Sequence, residues 1–141
     1  MYRKIITYTD FDGNPRTETF RFNLTKAELT KMFNEVSGGL DKKLQDMIDK
    51  KDIPKIMANF EDLLDRSYGE MSADGRRFVK SPEILQAFKD TQAYSDFYMS
   101  LITDDEEAAA FIQGIIPAEL RDQAVEQGVI EPIAPQLTTV K

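Results

Sequence analysis

The chain contains no cysteine, no histidine and no tryptophan. Without the first two there can be no disulfide scaffold, no thiolate or imidazole metal site, no Cys or His nucleophile–base pair and no haem held by either residue. Chemistry by Asp, Glu, Lys, Tyr or Ser stays open, as does a role with no chemistry at all. Long apolar runs are missing as well: nothing approaches the ~18 consecutive apolar residues that signal a membrane-spanning helix. The start Met1-Tyr2-Arg3-Lys4-Ile5-Ile6 passes at once to Thr7, Thr9 and Asp10 rather than to a secretory apolar region, so an intracellular protein is expected. Basic charge is also scarce. Eighteen Lys and Arg face 25 Asp and Glu, a net charge of -7, and the deficit is local: residues 1–80 carry 15 basic and 14 acidic groups, residues 81–141 only 3 and 11. Such a surface repels phosphate backbones and anionic lipid, which argues against nucleic-acid and membrane partners.

What is present suffices for a core. At 141 residues with 41% hydrophobic and 10% aromatic content, the chain is one domain long and folds despite its charge. Tyr2, Lys4, Ile6 and Tyr8 alternate with Arg3, Ile5, Thr7 and Thr9, and Phe20, Phe22 and Leu24 alternate with Thr19, Arg21 and Asn23, with Asp12-Gly13-Asn14-Pro15 between them. That is a hairpin over 2–24 with one aromatic face to bury. From Thr25 the period becomes helical. Thr25 and Glu28 have capping-box spacing, and Leu29, Met32, Phe33 and Val36 share a face up to Ser37-Gly38-Gly39. A shorter helix is expected over Leu40–Lys51, and a strong one carries Ile53, Ile56, Met57, Phe60, Leu63 and Leu64 up to Tyr68-Gly69. Residues 69–81 read as a connector with turns. Ser81-Pro82 opens another helix, the pattern restarts at Thr91, and Thr103 with Glu106 repeats the capping-box spacing. Pro117 interrupts, one or two helical turns fit 118–127, and the prolines after Gly128 make 128–141 an extended tail. The expected fold is α+β: one mainly helical domain over 1–127, with the N-terminal hairpin and about five or six helices.

Candidate chemistry does not survive its bland alternatives. Asp10-Phe11-Asp12-Gly13-Asn14 resembles the opening of a calcium loop, but Pro15 stands where glycine is needed and Arg21 where a bidentate Glu should close the shell, so it reads as a turn. Asp104-Asp105-Glu106-Glu107 suits the first turn of a helix. Asn23-Leu24-Thr25 matches a glycosylation acceptor without an export signal, and Gly38-Gly39 lacks the downstream Lys of a phosphate loop. No catalytic, cofactor or metal residues are assigned. Two groups suggest binding instead. Arg76, Arg77 and Lys80 form a compact basic group suited to polar docking, to phosphate or to intramolecular pairing. Tyr94, Phe97, Tyr98 and Leu101, with Phe111, Ile112, Ile115 and Ile116, are denser in apolar surface than a small core needs and are the candidate interface with a partner or with a second copy.

The stretches Lys4-Ile5-Ile6-Thr7-Tyr8-Thr9-Asp10-Phe11-Asp12-Gly13-Asn14, Thr19-Phe20-Arg21-Phe22-Asn23-Leu24-Thr25-Lys26-Ala27-Glu28-Leu29, Ser67-Tyr68-Gly69 and Asp74-Gly75-Arg76-Arg77-Phe78-Val79-Lys80-Ser81-Pro82-Glu83 resemble the tail assembly chaperones of long-tailed, siphovirus-like bacteriophages. The similarity continues through Ala87-Phe88, Ala93-Tyr94 and Phe111-Ile112-Gln113-Gly114-Ile115-Ile116-Pro117. It implies a noncatalytic, mainly helical protein of the host cell cytoplasm, absent from the mature virion. Its implied partner is the tape measure protein, which it keeps soluble while tail tube protein assembles. The tube protein itself and a homo-oligomer are further implied partners. The resemblance supplies no catalytic residues to carry over. The competing class is a small accessory or adaptor protein binding another viral or host protein.

Overall fold

A computed structural model of the chain describes residues 1–35 and 53–117. Strands β1 (Tyr2–Thr9) and β2 (Pro15–Phe22) pair antiparallel, Tyr2 opposite Phe22 and Thr9 opposite Pro15. The turn between them is built by Asp10. One of its carboxylate oxygens accepts the backbone N–H of Asp12 at 3.0 Å and of Asn14 at 2.9 Å, and Gly13 supplies the positive φ of 87°. Arg16 Nε donates to the other oxygen at 2.6 Å. The Asp-x-Asp-x-Asn segment is thus a turn, with Asp10 already fully engaged.

The capping box forms as its spacing requires: Thr25 N–H donates to Glu28 Oε1 at 2.8 Å and Glu28 N–H to Thr25 Oγ1 at 3.1 Å, opening α1 (Lys26–Glu35). Leu24 and Leu29, at the staple positions around this cap, are both buried in the core. Helix α2 (Ile53–Ser67) buries Ile56, Phe60, Leu63 and Leu64 and ends where the Ser67 hydroxyl turns back to the Leu63 carbonyl, 2.6 Å away.

The expected connector after it is instead a second hairpin, β3 (Tyr68–Met71) and β4 (Phe78–Val79). Strand β3 joins β2 directly, Tyr68 opposite Phe22 and Gly69 opposite Arg21, giving one antiparallel sheet in the order β1-β2-β3-β4. The alternation was too short to read as strand, and Gly69 has no side chain to contribute to it. A Cβ at Gly69 would lie 2.8 Å from both the Phe78 ring and the Val79 carbonyl, so glycine is required by close approach.

Helices α3 (Pro82–Lys89), α4 (Gln92–Thr103) and α5 (Asp105–Ile115) follow. Ser81 caps α3 and Thr91 caps α4, each accepting a backbone N–H three residues on. The last cap differs from expectation. Asp104, with extended backbone, accepts the amides of Glu106 and Glu107, whereas Thr103 is helical and donates its hydroxyl to the Met99 carbonyl. At the other end Ile116 is extended, as the residue before Pro117 must tend to be, and α5 stops. The expected helix over Leu40–Lys51, the turns over 118–127 and the tail over 128–141 lie outside the described residues.

The core lies between the sheet and the helices around Phe22, which is wholly buried. Its ring centroid lies 5.3 Å from that of Phe97, 5.6 Å from those of Tyr68 and Phe111, and 5.8 Å from that of Phe88. Tyr68 and Phe88 stack at 4.2 Å, and Tyr2 meets Phe111 edge-on at 5.5 Å. Such pairs add about 0.5–1.5 kcal/mol each beyond the area they bury.

Candidate functional site

Six residues of the expected interface stripe turn inward. Phe97, Leu101, Phe111, Ile112, Ile115 and Ile116 are all buried in the chain's own core. The period-3.6 pattern located their helices but could not separate a face that meets the sheet from one that meets a partner. What α4 leaves accessible is the flank of that stripe. Tyr94, Tyr98 and Ile102 are half-buried, with the two tyrosine rings parallel at 6.0 Å. The Tyr98 hydroxyl donates to the Met57 carbonyl at 3.0 Å, which locks α4 to α2; Met57 stands exposed on α2 and Met99 on α4. Burial pushes the Tyr94 phenol up, as do the carboxylates of Asp65 and Glu61, and Lys89 lies 5.8 Å from its ring. The flank is therefore apolar with an acidic and basic margin on α2 and α3.

The basic group divides. Lys80 is a structural clamp: its ammonium donates to the carbonyls of Asn23 at 2.8 Å and Arg66 at 2.7 Å and to Glu28 Oε2 at 2.7 Å. It ties the end of β2, α1 and α2 together and is spent in doing so. Burial raises the Glu28 carboxyl, but the Lys80 ammonium and the Thr25 amide outweigh it and hold the group below the usual value. Arg76 and Arg77 remain exposed at the β3–β4 turn, which Asp74 organises by accepting the Ser72 hydroxyl and the Arg76 amide.

Glu107 is committed to structure: it accepts the Lys4 ammonium at 2.8 Å and the Tyr2 hydroxyl, pinning α5 to β1. A shallow cleft of about 400 Å³ opens between the β1–β2 turn and the α3–α4 junction, lined by Tyr8, Asp10, Phe11, Arg16, Glu18 and Asp90 among others. Three of its charged groups satisfy one another. Arg16 pairs with Asp10 and Glu18, and Tyr8 donates to Glu18 at 2.6 Å. Asp10 is held low chiefly by the hydrogen bond from Arg16. Among the described residues no three acidic side chains converge as a metal site, and no helix is long and apolar enough to cross a membrane.

One surface was not anticipated. The sheet's second face carries the odd-numbered residues of β1 and β2, and on it stand Met1, Arg3, Ile5, Arg21 and, beyond Gly69, Met71 and Phe78. The available signal was the parity of Ile5, an isoleucine out of step with Tyr2, Lys4, Ile6 and Tyr8.

A family model described as phage tail assembly chaperone matches residues 1–141, the full length given. The chain belongs to the phage tail assembly chaperone family. No curated protein and no solved structure matches it. As a tail assembly chaperone it acts on phage tail proteins, and a side-chain arrangement devoted to caps, clamps and an aromatic core accords with an assembly role. The α+β fold expected for the chaperone, with an N-terminal hairpin and helices, is the fold found; five helices lie among its described residues.

Proposed function

We propose that this chaperone binds the tape measure protein and keeps it soluble until tail tube protein surrounds it, acting without catalysis in the host cytoplasm and leaving before the virion is complete. The observation that carries this reading is the family match over residues 1–141. The exposed flank at Met57, Tyr98 and Met99 supports it, since flexible methionines beside tyrosine suit an apolar helical client. The acidic second half supports it too, because like charge keeps a complex with exposed apolar surface from associating further.

The test is co-expression with the tape measure protein encoded by the same phage. The chaperone should move most of that protein into the soluble fraction, and Met57→Glu with Met99→Glu should abolish the gain while leaving the circular dichroism spectrum unchanged. A tape measure protein equally soluble without the chaperone, or insoluble with it, would defeat the reading.

A further inference from the structure

The outer face of the sheet has a composition that folding does not account for. The Asp10 amide donates to the Asn14 carbonyl at 2.9 Å, so the even-numbered residues of β1 occupy the hydrogen-bonded pairs. Arg3, Ile5 and Thr7 therefore sit at the other pairs, where facing side chains approach most closely, and the Thr7 and Thr17 hydroxyls meet at 3.0 Å as that requires. At such a position Arg3 faces Arg21. Like charges placed directly opposite each other work against the sheet. No carboxylate among the described residues lies within salt-bridge distance of either guanidinium; the contact found for Arg21 is to the sulfur of Met1 at 4.0 Å. Protection of an open sheet edge explains a charge on β1, but Arg21 is on β2, which is paired on both sides. Around the two arginines are Met1, Ile5 and Met71, three of the six large apolar side chains that stand exposed among the described residues.

We propose that this face, with Arg3 and Arg21 at its centre, docks an acidic amphipathic segment of a phage tail protein. Carboxylates of the segment bridge the two guanidinium groups with the bidentate geometry that arginine offers, and its apolar side chains cover Ile5, Met1 and Met71. A second copy is a poorer occupant. Two such faces laid together about a two-fold axis would assemble four arginines with no carboxylate between them. A nucleic acid is poorer still, because Phe78 alone does not make a row of stacking rings on this threonine-rich and aliphatic face, and the chain carries a net charge of -7. The inference rests on membership of the family, and does not require the tape measure protein to be the client.

The experiment is an array of overlapping 20-residue peptides covering the tail proteins of the same phage, probed with the full chain. Peptides of net negative charge that also carry several apolar residues should be captured, about tenfold less by Arg3→Glu with Arg21→Glu and by a smaller factor by Arg3→Gln with Arg21→Gln. Arg76→Glu with Arg77→Glu, in the β3–β4 turn and away from the face's centre, should change capture less than about twofold, and raising the salt should weaken capture by the unaltered chain. Circular dichroism keeps the comparison to folded variants; the glutamine pair, which restores no like charge, guards against misfolding of the glutamate pair. The proposal is overturned if no acidic peptide is captured, if the captured peptides are neutral or basic, or if the glutamate and glutamine pairs both bind as the unaltered chain does. It is also overturned if the Arg3 and Arg21 variants change only the oligomeric state in sedimentation, or if capture appears only after residues 118–141 are deleted. Failure of the solubility test alone leaves these outcomes readable, so the two readings fail separately.

Discussion

The same two strands of the first hairpin present two faces made of alternate residues. Toward the helices, Ile6, Tyr8, Phe20 and Phe22 are covered and meet aromatic side chains from α3, α4 and α5. Toward solvent, Arg3, Ile5, Thr7, Thr17 and Thr19 stand open. Because both faces belong to one backbone ladder, the difference in burial between them comes from the side chains. One face is complementary to the rest of the chain and the other is not, so the inner face carries the fold and the outer one is left to a partner.

Substitutions can break that comparison. Phe22→Ala should cost about 3–5 kcal/mol, because it removes the ring that five others touch, whereas Ile5→Ala should stay within about 0.5 kcal/mol. Urea unfolding of both variants decides it, and equal losses would mean that the outer face is also core. Gly114→Ala comes next. A Cβ there would lie 2.6 Å from Tyr2 Cδ1, inside an aromatic stack that has no free end to swing aside, so a loss of about 1–3 kcal/mol is expected. Combined with Tyr2→Leu, the loss should fall short of the sum of the two single changes, because the ring that blocks the methyl is gone.

A smaller effect sharpens the comparison by pH. Burial pushes the phenols of Tyr2 and Tyr94 well up and that of Tyr68 to about 12, with the Glu107 hydrogen bond adding to the shift at Tyr2. The folded state therefore holds these protons more tightly than the unfolded chain. Their contribution to stability is full below the ordinary phenol value of 10 and is lost as pH rises through the folded values. Urea midpoints should be flat between about pH 6 and 9, since the chain has no histidine, and should fall beyond about pH 10. Ionisation absorbance that develops at pH 10 without unfolding would show that the inner face is wet. Glu28 gives the acid counterpart. Its carboxyl is held low despite burial, so the clamp with Lys80 is whole above the ordinary value of 4.5 and weakens as pH falls through the folded value. Lys80→Met should flatten that acid limb. Smallest of all, Arg3→Thr should raise stability by about 0.2–1 kcal/mol, by ending the confrontation with Arg21.

Much of this was legible in the residues and some was not, for physical reasons. The hairpin, the Thr25–Glu28 box and the Ser81 and Thr91 caps follow from local hydrogen-bonding chemistry, which short spacing encodes. Strands β3 and β4 are too short to show a period of two, and β3 joins the sheet only where Tyr68 and Gly69 meet Phe22 and Arg21 of β2, contacts between residues far apart in the chain. The surface was harder. Helical period alone does not say whether Phe97 and Phe111 bury against the sheet or wait for a partner, and the answer came from the rings around Phe22. Lys80 read as part of a basic cluster with Arg76 and Arg77, since nothing near it in sequence announces the carbonyls of Asn23 and Arg66.

The Leu24 amide donates to the carbonyl of Ile115 at 3.0 Å, and Tyr2 and Lys4 reach Glu107. The first strand made is therefore covered by the last helix described. At synthesis rates of 5–20 residues per second, roughly 5–20 s separate the emergence of the hairpin from that of its cover. Through that interval the Tyr2 and Phe22 rings lack the Phe111 edge that covers them in the finished fold, so a tail assembly chaperone spends its own first seconds with part of its core uncovered.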